Sequence, residues 1–477
     1  MSAPVTIVWF RQDLRLTDNP ALHAAAARGG VVVPVYIDSE EEEGAWTAGG
    51  ATRWWRHHAL ASLQSSLQAL GSRLLLRRGP ALVELTELAA GLGADAIYWN
   101  RRYEPAARAR DTQVKESLRA AGLLAESRNG SLLAEPWELR TQGGGPFQVF
   151  TPFWRKLLAT IEPPTPLPAP TALPAPQAWP GSLSLDAMGY LPTIRWDAGL
   201  AQHWQPGEAG AARQLEQFVA SWLRDYAGTR DLPAKPGTSR LSPYLHHGEV
   251  SPRQVWHSVL ADNPGERGGK YLAELVWREF SYHLLHHFPH TPGAPLRPQY
   301  AAFPWREDAR LLTAWQRGRT GVPLVDAGMR ELWHTGWMHN RVRMVCASYL
   351  VKNLLQPWQA GARWFWDTLV DADLAANTQG WQWTAGCGAD AAPFFRIFNP
   401  VTQGERFDPQ GAYLRRWLPE LAGLDERAIH APWEQPEIVL RTAGVVLGGT
   451  YPQPLVSLSE SRQAALEAHK RMAAGGG

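Results

Sequence analysis

The chain has few cysteines, few lysines and no long apolar run, and each scarcity excludes a class of protein. Only two of its 477 residues are cysteines, Cys346 and Cys387, which is too few for a framework of disulfides. No apolar segment is long enough to span a bilayer, and no signal peptide is visible. These features predict a soluble protein of the cytoplasm that does not associate with a membrane.

Neither the net charge nor a common nucleotide-binding motif identifies a ligand. The formal net charge is only +2, so the chain as a whole does not indicate a polyanionic partner. Most of the cations are arginines, which bind phosphate and stack on aromatic rings well, although a GC-rich genome explains the same composition. Neither GxGxxG nor GxxxxGK[ST] is present, which argues against ordinary dinucleotide or P-loop chemistry.

The length of the chain and its changing periodicity predict two domains. Short apolar runs at 5–10 and 31–38 alternate with helical patterns, which is typical of βαβ units and a doubly wound parallel sheet. The segment 162–180 is dominated by Pro, Ala and Thr and predicts a semi-rigid linker. Beyond it, apolar residues recur at helical spacing. We predict an α/β domain at 1–130, a Pro-rich interdomain linker at 131–200 and an all-α domain at 201–477.

The predicted sheet also suggests a ligand pocket of its own. Ligands of open parallel sheets bind beyond the carboxyl ends of the strands, which nominates the segments 10–13, 36–38 and 100–104. The acidic run 40–43 lies close to one of these segments. We interpret it as a solvated loop rather than a metal site, because adjacent carboxylates do not converge on one ion without a specific turn.

A second pocket is indicated by the segment 325–400, in which tryptophans are mixed with His, Arg and Asp. Such a mixture favours a pocket for a large, flat, polar-edged molecule over a core that is merely rich in Trp. Asp371 and Asp373 form a DxD pair. A metal is the less favoured reading of this pair because no further ligand follows at suitable spacing, and Arg343 is the candidate partner.

Two further stretches allow both a structural and a functional interpretation. In GTSRLSPYL, 237–245, hydroxyl side chains precede a helical pattern and could hold a phosphate or simply cap the helix. In AELVWREF, Glu274 and Arg278 lie one turn apart with Trp277 on a neighbouring face. This helix could present all three side chains to one cleft, or Glu274 and Arg278 could form a surface ion pair.

Motifs along almost the whole chain resemble the photolyase and cryptochrome flavoproteins. They are WFRQDLRLTDNPAL, FTPFW, RDLPAKPGTSRLSPYL, LVWREF, TGWMHNRVRM, DADLAAN, GWQW and FRIFNPVTQGERFD. The resemblance implies an N-terminal antenna domain and a helical domain that holds FAD folded into a U. It also implies a monomeric, metal-independent enzyme that repairs cyclobutane pyrimidine dimers in damaged DNA by electron transfer from excited, reduced FAD.

The resemblance assigns roles to individual residues. Asn377 is expected to face the flavin N5, and Arg343 to pair with Asp371. The expected FAD contacts are Tyr226, Thr238, Ser239, Arg240, Leu241, Ser242, Tyr271, Arg278, Arg343, Asp371, Asp373 and Asn377. The expected dimer pocket consists of Glu274, Trp277, Asn340, Arg341, Met344 and Trp383, and Arg230 and Gln403 are expected to contact DNA phosphates.

The family's electron-transfer chain of tryptophans corresponds to Trp381, Trp358 and Trp305. The antenna is less defined, because Ala106 and Ala107 replace residues that hold folate in some relatives. Folate bound in another arrangement, a deazaflavin, a second flavin or an empty site all stay open, with Glu104 as a candidate contact.

The branch within the family follows from a few positions. Asn340 and Met344 stand where photolyases of (6-4) products carry His, which favours cyclobutane dimers as substrate. A cryptochrome-type photoreceptor without repair activity is the alternative, because VDAGMREL and FWDTLVDAD resemble the branch beside plant cryptochromes. A non-catalytic flavin-binding module is less favoured, since the residues of the dimer pocket would then have no role.

Overall fold

The structure is a computed structural model that describes residues 3–265 and 269–474. Its backbone contacts divide the chain into two compact units. The first unit comprises Met1–Leu223, Ser239–Pro289 and Val370–Asp373, and the second comprises Arg224–Thr238, His290–Leu369 and Leu374–Gly477. Within the described ranges, no helix is both long enough and apolar enough to cross a membrane.

The first unit contains a five-stranded parallel sheet in the order β3-β2-β1-β4-β5. In the central pairings Val5 lies opposite Val31, and Thr6 lies opposite Ala96. The chain therefore first extends the sheet to one side of β1 and then returns to its other side, as in doubly wound folds. The strands are β1 Val5–Phe10, β2 Val31–Asp38, β3 Leu75–Arg78, β4 Ala96–Asn100 and β5 Leu124–Arg128.

Helices make up most of the remaining structure. A π-helical turn, Tyr349–Asn353, directly follows helix α14. The α-helices are α1 Pro20–Arg28, α2 Gly50–Ala69, α3 Ala81–Leu92, α4 Pro105–Ala120, α5 Phe150–Thr160, α6 Ala198–His203, α7 Glu208–Ser221, α8 Tyr226–Thr229, α9 Ser242–His247, α10 Pro252–Asp262, α11 Lys270–His287, α12 Ala309–Gln316, α13 Pro323–Thr335, α14 Asn340–Ser348, α15 Trp358–Thr368, α16 Leu374–Ala385, α17 Pro400–Phe407, α18 Ala412–Trp417, α19 Glu437–Thr442 and α20 Leu458–Ala474.

The central strands are mostly apolar because helices cover both faces of a doubly wound sheet. Trp9 of β1 and Trp99 of β4 are buried side by side, with ring centroids 5.9 Å apart. At the start of α1 the side chain of Asn19 accepts a hydrogen bond from the backbone N–H of Leu22, which satisfies a donor of the first turn. The predicted fold class, a parallel α/β sheet followed by a helical region, is confirmed.

The strand β5 was not predicted. Its sequence, LAESR, contains two charged residues in five, and only Ala125 is fully buried. β5 lies at the edge of the sheet and pairs only with β4, so its outer side needs no apolar pattern. Such a strand cannot be distinguished from a loop by composition alone.

The Pro-rich segment 162–180 contains neither helix nor strand, as predicted; every residue in it is described. It is nevertheless bound along its length to the first unit. The backbone N–H of Leu167 donates to Asp18, the backbone N–H of Val32 donates to the carbonyl of Pro174, and Trp179 lies under the guanidinium of Arg73. The segment is therefore packed against the rest of the first unit and is not a free linker.

Candidate functional site

The residues nominated from the sequence belong to both compact units. The first unit contains Glu104, Ser239, Arg240, Leu241, Ser242, Tyr271, Glu274, Trp277, Arg278, Asp371 and Asp373. The second unit contains Tyr226, Arg230, Thr238, Trp305, Asn340, Arg341, Arg343, Met344, Trp358, Asn377, Trp381, Trp383 and Gln403.

In the first unit, the segment Val370–Asp373 brings two buried carboxylates to the helix α9. The hydroxyl of Ser242 donates to Asp371 over 2.6 Å. Asp373 accepts a hydrogen bond from the hydroxyl of Tyr282, and its carboxylate lies 3.9 Å from Nδ1 of His246. Both partners, Tyr282 and His246, were missed by sequence reasoning, because nothing in their local sequence indicates a carboxylate partner.

The environment of Asp373 keeps this carboxylate ionised. Burial alone would raise its pKa, but the nearby imidazole of His246 and the charge of Arg278 outweigh burial and hold the pKa at about 2. An ionised carboxylate accepts hydrogen bonds and cannot donate them. Asp373 is therefore suited to hold hydroxyl or N–H donors of a polar ligand.

The loop before α9 has a strained backbone. Arg240 has φ +52°, a left-handed conformation that is unusual for a residue with a side chain and costs free energy unless its surroundings impose it. The surroundings are visible on either side: Gln214 donates to the carbonyl of Ser239 over 2.8 Å, and the Arg240 guanidinium lies 4.7 Å from the ring centre of Trp204. The loop is thus held in one shape.

The hydroxyl of Ser242 does not cap a helix. Helix α9 begins at Ser242 itself, is only six residues long, and has no side-chain cap at Leu241. The Ser242 hydroxyl is engaged by Asp371 instead. Of the two interpretations left open by the sequence, simple helix capping is therefore wrong for Ser242.

Glu274 and Arg278 of helix α11 contact different partners. Glu274 forms an ion pair with Lys270 at 3.3 Å, one turn earlier, and stays about one-quarter exposed. The guanidinium of Arg278 is largely buried, donates to the carbonyl of Ser131 over 2.8 Å and lies over the ring of Tyr282. The simple surface pair between Glu274 and Arg278 is therefore replaced by two separate sets of contacts.

Two aromatic side chains of α11 are held by neighbouring rings. Trp277 is half-buried and lies face to face with Phe150 of α5, with centroids 3.8 Å apart. Tyr271 packs against Phe218 at 4.4 Å, and its hydroxyl is hydrogen-bonded to Ser239. Phe150 lies in the FTPFW motif, yet its contact with Trp277 could not be predicted from the spacing of the two residues.

In the second unit, the start of α14 places Asn340 and Met344 on one face, since they are four residues apart. Asn340 is exposed and Met344 is half-buried. His339 precedes the helix and accepts from the backbone N–H of Arg341 over 3.2 Å. Burial lowers the pKa of His339 to about 4, with Asp231 opposing the shift and Arg341 adding to it. The imidazole is therefore neutral at physiological pH.

Arg343 of the same helix is oriented by the backbone. Its Nε donates to the carbonyl of Met338 over 2.7 Å, and its guanidinium lies 5.8 Å from the ring centre of Trp337. The pairing of Arg343 with Asp371 stays a prediction.

Helices α15 and α16 pack closely against each other and carry two of the three tryptophans of the expected electron-transfer chain. A Cβ atom added at Gly361 of α15 would lie 2.0 Å from the ring of Trp381 of α16, so only Gly allows this close approach. Phe365 of α15 also contacts Trp381, with centroids 5.0 Å apart. Because Trp358 precedes Gly361 by three residues, it lies on the same face of α15.

The three tryptophans differ in exposure. Trp381 and Trp358 are each 2% exposed, whereas Trp305 is partly exposed. On α16, Asn377 lies one turn before Trp381, and its amide donates to the carbonyl of Ala362 over 3.0 Å. This bond fixes the orientation of the Asn377 side chain.

The carboxyl ends of the strands form a separate cleft within the first unit, as the topology predicted. Its wall includes Tyr36 and Asp38 from the end of β2 and Arg11 just beyond β1. It also includes Arg102, within the nominated segment 100–104, and Arg56 of α2, which sequence reasoning did not single out.

The acidic run 40–43 borders this cleft; it is partly exposed to solvent, as predicted, but it is a short helix ordered by ion pairs rather than a loop. The segment Glu40–Trp46 forms a 3-10 helix. Glu43 pairs with Arg102 at 2.9 Å, and Glu40 pairs with Arg53 of α2 at 2.5 Å. Burial would raise the pKa of Glu43, but Arg102 and Arg110 hold it at about 2. The sequence does not reveal these pairs because the arginines come from other elements.

Glu104 has an ordered partner at the same end of the sheet. Its carboxylate lies 3.2 Å from the guanidinium of Arg102, so Glu104 and Glu43 share one arginine. Among the residues that the structure describes, no group of three or more His, Cys, Asp and Glu side chains could hold a metal ion.

Comparisons with known proteins identify the family. A family model described as the FAD binding domain of DNA photolyase matches residues 271–471, and one described as DNA photolyase matches residues 6–172. A deoxyribodipyrimidine photo-lyase of Agrobacterium fabrum is 50% identical over 475 residues, which covers 98% of either chain. The crystal structure of a bacterial class III photolyase from Agrobacterium tumefaciens has a TM-score of 0.96 at 50% identity, covering 99% of this chain and 98% of that one.

A cryptochrome is also similar, at lower identity. Cryptochrome-1 of Arabidopsis thaliana is 41% identical over 490 residues, covering 99% of this chain and 71% of its own length.

The fold and the two family models together define a flavoprotein with an α/β domain and a helical FAD-binding domain. The chain belongs to the DNA photolyase family. The predicted enzyme class, a photo-lyase of DNA repair, is confirmed at the level of that family.

Proposed function

We propose that the protein repairs cyclobutane pyrimidine dimers in DNA under blue or near-UV light. The observation that carries this proposal is the half-buried Trp277, which is backed by the face of Phe150 and lies on the same helix as the partly exposed carboxylate of Glu274. An indole held in this way offers a flat apolar wall to an extruded base pair. Glu274 can accept hydrogen bonds from thymine N–H groups.

We also assign two residues of α14, Asn340 and Met344, to recognition of the dimer. Asn340 can donate to and accept from a base edge, and Met344 adds an apolar, adaptable surface on the same face. Neither position carries His, so neither can supply an imidazolium as the acid for (6-4) chemistry. Trp383 completes the proposed pocket, and Arg230, Arg341 and Gln403 are assigned to the DNA.

FAD is the cofactor that this chemistry requires. When bound and reduced, it supplies an electron to the dimer on excitation, and the electron returns after the two C–C bonds of the cyclobutane ring have broken. The donor and acceptor set fits such a ligand, because ionised Asp373 and the ordered loop 239–242 supply acceptors and backbone groups for hydroxyls and phosphates. We assign to FAD the residues Tyr226, Thr238, Ser239, Arg240, Leu241, Ser242, Tyr271, Arg278, Arg343, Asp371, Asp373 and Asn377.

We further assign Trp381, Trp358 and Trp305 to the route by which an electron reaches oxidised FAD. The partial exposure of Trp305 supports its place as the outermost donor, since that donor must exchange electrons with the solution. The cleft at the carboxyl ends of the strands is the proposed antenna site, with Glu104 at its edge. Its arginines favour a chromophore with anionic groups, such as folate or a flavin phosphate.

We also propose an α/β domain at 1–130, an interdomain linker at 131–200 and a helical domain at 201–477. We further propose that the protein is a monomer and that it is located in the cytoplasm. Size-exclusion chromatography with light scattering and cell fractionation test the last two.

A photoreceptor without repair activity is the second candidate, and the 41% identity to Cryptochrome-1 supports it. One experiment separates the two. Purified protein is reduced, mixed with an oligonucleotide that contains one thymine dimer, and illuminated, with a dark sample as control. Repair predicts light-dependent loss of the dimer. If the reduced, FAD-loaded protein leaves dimers intact in the light, the photoreceptor is favoured.

A further inference from the structure

Two arginines assigned to DNA share one carboxylate in the second unit. Nη2 of Arg341 lies 3.0 Å from Oδ1 of Asp231, and Nε of Arg230 lies 3.8 Å from the same oxygen. Asp231 is about one-third exposed, whereas Arg230 and Arg341 are 12% and 18% exposed. The carboxylate is therefore the most accessible member of the group.

An aromatic ring orients the Arg341 guanidinium from another side. The centre of the guanidinium lies 4.4 Å from the ring centre of Phe407, at the end of α17. Arg406 contacts the same ring at 5.0 Å. Phe407 follows Gln403 by four residues, so the ring and the proposed neutral phosphate contact share one face of α17.

The Arg341 guanidinium is not saturated with acceptors. Its Nε is buried and has no hydrogen-bond partner among the residues that the structure describes. A phosphate offers more acceptor oxygens than a carboxylate, and arginine binds it through two parallel N–H groups. The guanidinium is thus held by Phe407 and Asp231 in a position from which a larger anion could replace the carboxylate.

We infer that Asp231 is a further residue of the DNA-binding site, a counter-ion that a DNA phosphodiester displaces from Arg341. This inference rests on the proposed function, because it takes the ligand of Arg341 to be DNA. In the free protein the carboxylate neutralises Arg341 and keeps it extended. On DNA the phosphate takes its place, and the remaining charge of Asp231 opposes the bound strand. Asp231 therefore limits how tightly the protein holds any duplex, damaged or intact.

The test compares full-length, FAD-loaded wild type with Asp231→Asn, which keeps the shape of the side chain and removes its charge. Affinity for an undamaged duplex is measured at several salt concentrations. We expect the variant to bind roughly three- to tenfold more tightly at low salt, with a log-log salt slope steeper by about 0.9, because no displaced carboxylate takes up a cation when the phosphate binds Arg341. A duplex with one thymine dimer should gain by a similar factor, because phosphate contacts carry no information about the lesion.

Two variants serve as controls. Asp231→Glu keeps the charge and should bind DNA like the wild type. Glu420→Gln removes the carboxylate of another ion pair in the same unit, 2.8 Å from Arg330, and should leave DNA affinity unchanged. A gain by Glu420→Gln equal to that of Asp231→Asn would mean that only total charge matters, and would overturn the inference.

The Arg341→Gln background decides whether the effect passes through Arg341. In that background the gain from Asp231→Asn should fall to about twofold or less, since the group that the carboxylate neutralises is gone. An undiminished gain there, or unchanged or weaker binding by Asp231→Asn with wild-type circular dichroism and FAD content, would refute the role of Asp231.

The repair assay on the wild type keeps this inference separate from the proposed function. Tighter binding by Asp231→Asn together with absence of repair by the wild type would support the role of Asp231 as a counter-ion and refute the repair assignment. Repair by the wild type without tighter binding by Asp231→Asn would do the opposite. If neither protein binds any duplex, both are wrong.

Discussion

Phe150 and Trp277 lie face to face, with ring centroids 3.8 Å apart and planes inclined by only 7°. Phe150 is buried, whereas Trp277 is half-buried. One face of the indole is thus covered and held, and its orientation is set before any ligand arrives. A wall that is ordered in advance loses less conformational entropy on binding.

Phe150→Leu should therefore weaken binding of DNA with a thymine dimer. We expect a loss of about fivefold, because an aromatic pair contributes about 1 kcal/mol beyond its buried area. Affinity for undamaged duplex should not change. Fluorescence titration with both duplexes measures the two affinities.

Phe153→Leu is the matched control for this substitution. Phe153 is also buried on α5 but contacts Phe280 and His283. This variant should lose thermal stability to a similar extent and keep its preference for the lesion. Equal loss of lesion binding by both variants would show that Phe150 acts only through stability.

We expect Arg230 to contribute affinity for any duplex and Trp277 to contribute preference for the lesion. Arg230→Ala should weaken damaged and undamaged duplexes by similar factors, since a phosphate contact does not depend on the lesion. The wild-type salt slope should be only about −2 to −4, because each neutralised phosphate contributes roughly 0.9. The variant should flatten this slope.

Trp277→Ala should weaken damaged DNA selectively. Titrations at several salt concentrations measure both effects. Selective loss of lesion binding in Arg230→Ala, or equal loss for both duplexes in Trp277→Ala, contradicts this division of roles.

Trp381→Phe should block photoreduction of oxidised FAD, because phenylalanine is much harder to oxidise than tryptophan. Repair by enzyme that has been reduced chemically beforehand should persist. Absorption spectra during illumination follow the first process, and dimer loss in single-turnover flashes follows the second. Loss of both activities in a folded, FAD-loaded variant would refute this separation.

Trp315→Phe provides the control for Trp381→Phe. Trp315 is fully buried and contacts Trp381 with centroids 6.1 Å apart, but it lies outside the proposed route. This variant should photoreduce normally. A block as complete as that of Trp381→Phe would place Trp315 on the route.

Glu249 should make stability depend on pH. Its carboxyl group is buried beside Trp55, which donates to it over 3.0 Å, and burial raises its pKa to about 8. A folded pKa above the unfolded value near 4.5 adds stability that is complete below about pH 4.5 and is lost as pH rises through 8. Each pKa unit of the difference is worth about 1.4 kcal/mol.

Glu249→Gln should therefore flatten the decline in unfolding free energy between about pH 5 and 8. Urea unfolding at a series of pH values measures it. Glu87→Gln, at an exposed position of α3, should leave the decline in place. An identical decline in wild type and Glu249→Gln would mean that Glu249 is already ionised in the folded protein.

The sequence by itself determined the parallel sheet, because continuous apolar runs such as VTIVWF are buried on both faces, and it predicted the bounds of β1 and β2 as observed. It also determined the family, through motifs that stay recognisable without coordinates, and from them the candidate residues. The assignment of those residues to FAD and DNA stays a prediction.

Only the tertiary structure decided which side chains meet. Local pattern reports periodicity and propensity, whereas the contact of Arg341 with Asp231, the stack of Phe150 on Trp277 and the capture of Glu43 by Arg102 each join segments far apart in the chain. Such contacts depend on how helices and loops pack. The chain contains many arginines, so its composition does not show which of them pairs with a given carboxylate. For that reason the sequence predicted a solvated loop for the acidic run, whereas the fold places Glu40 and Glu43 in ion pairs with arginines of other segments.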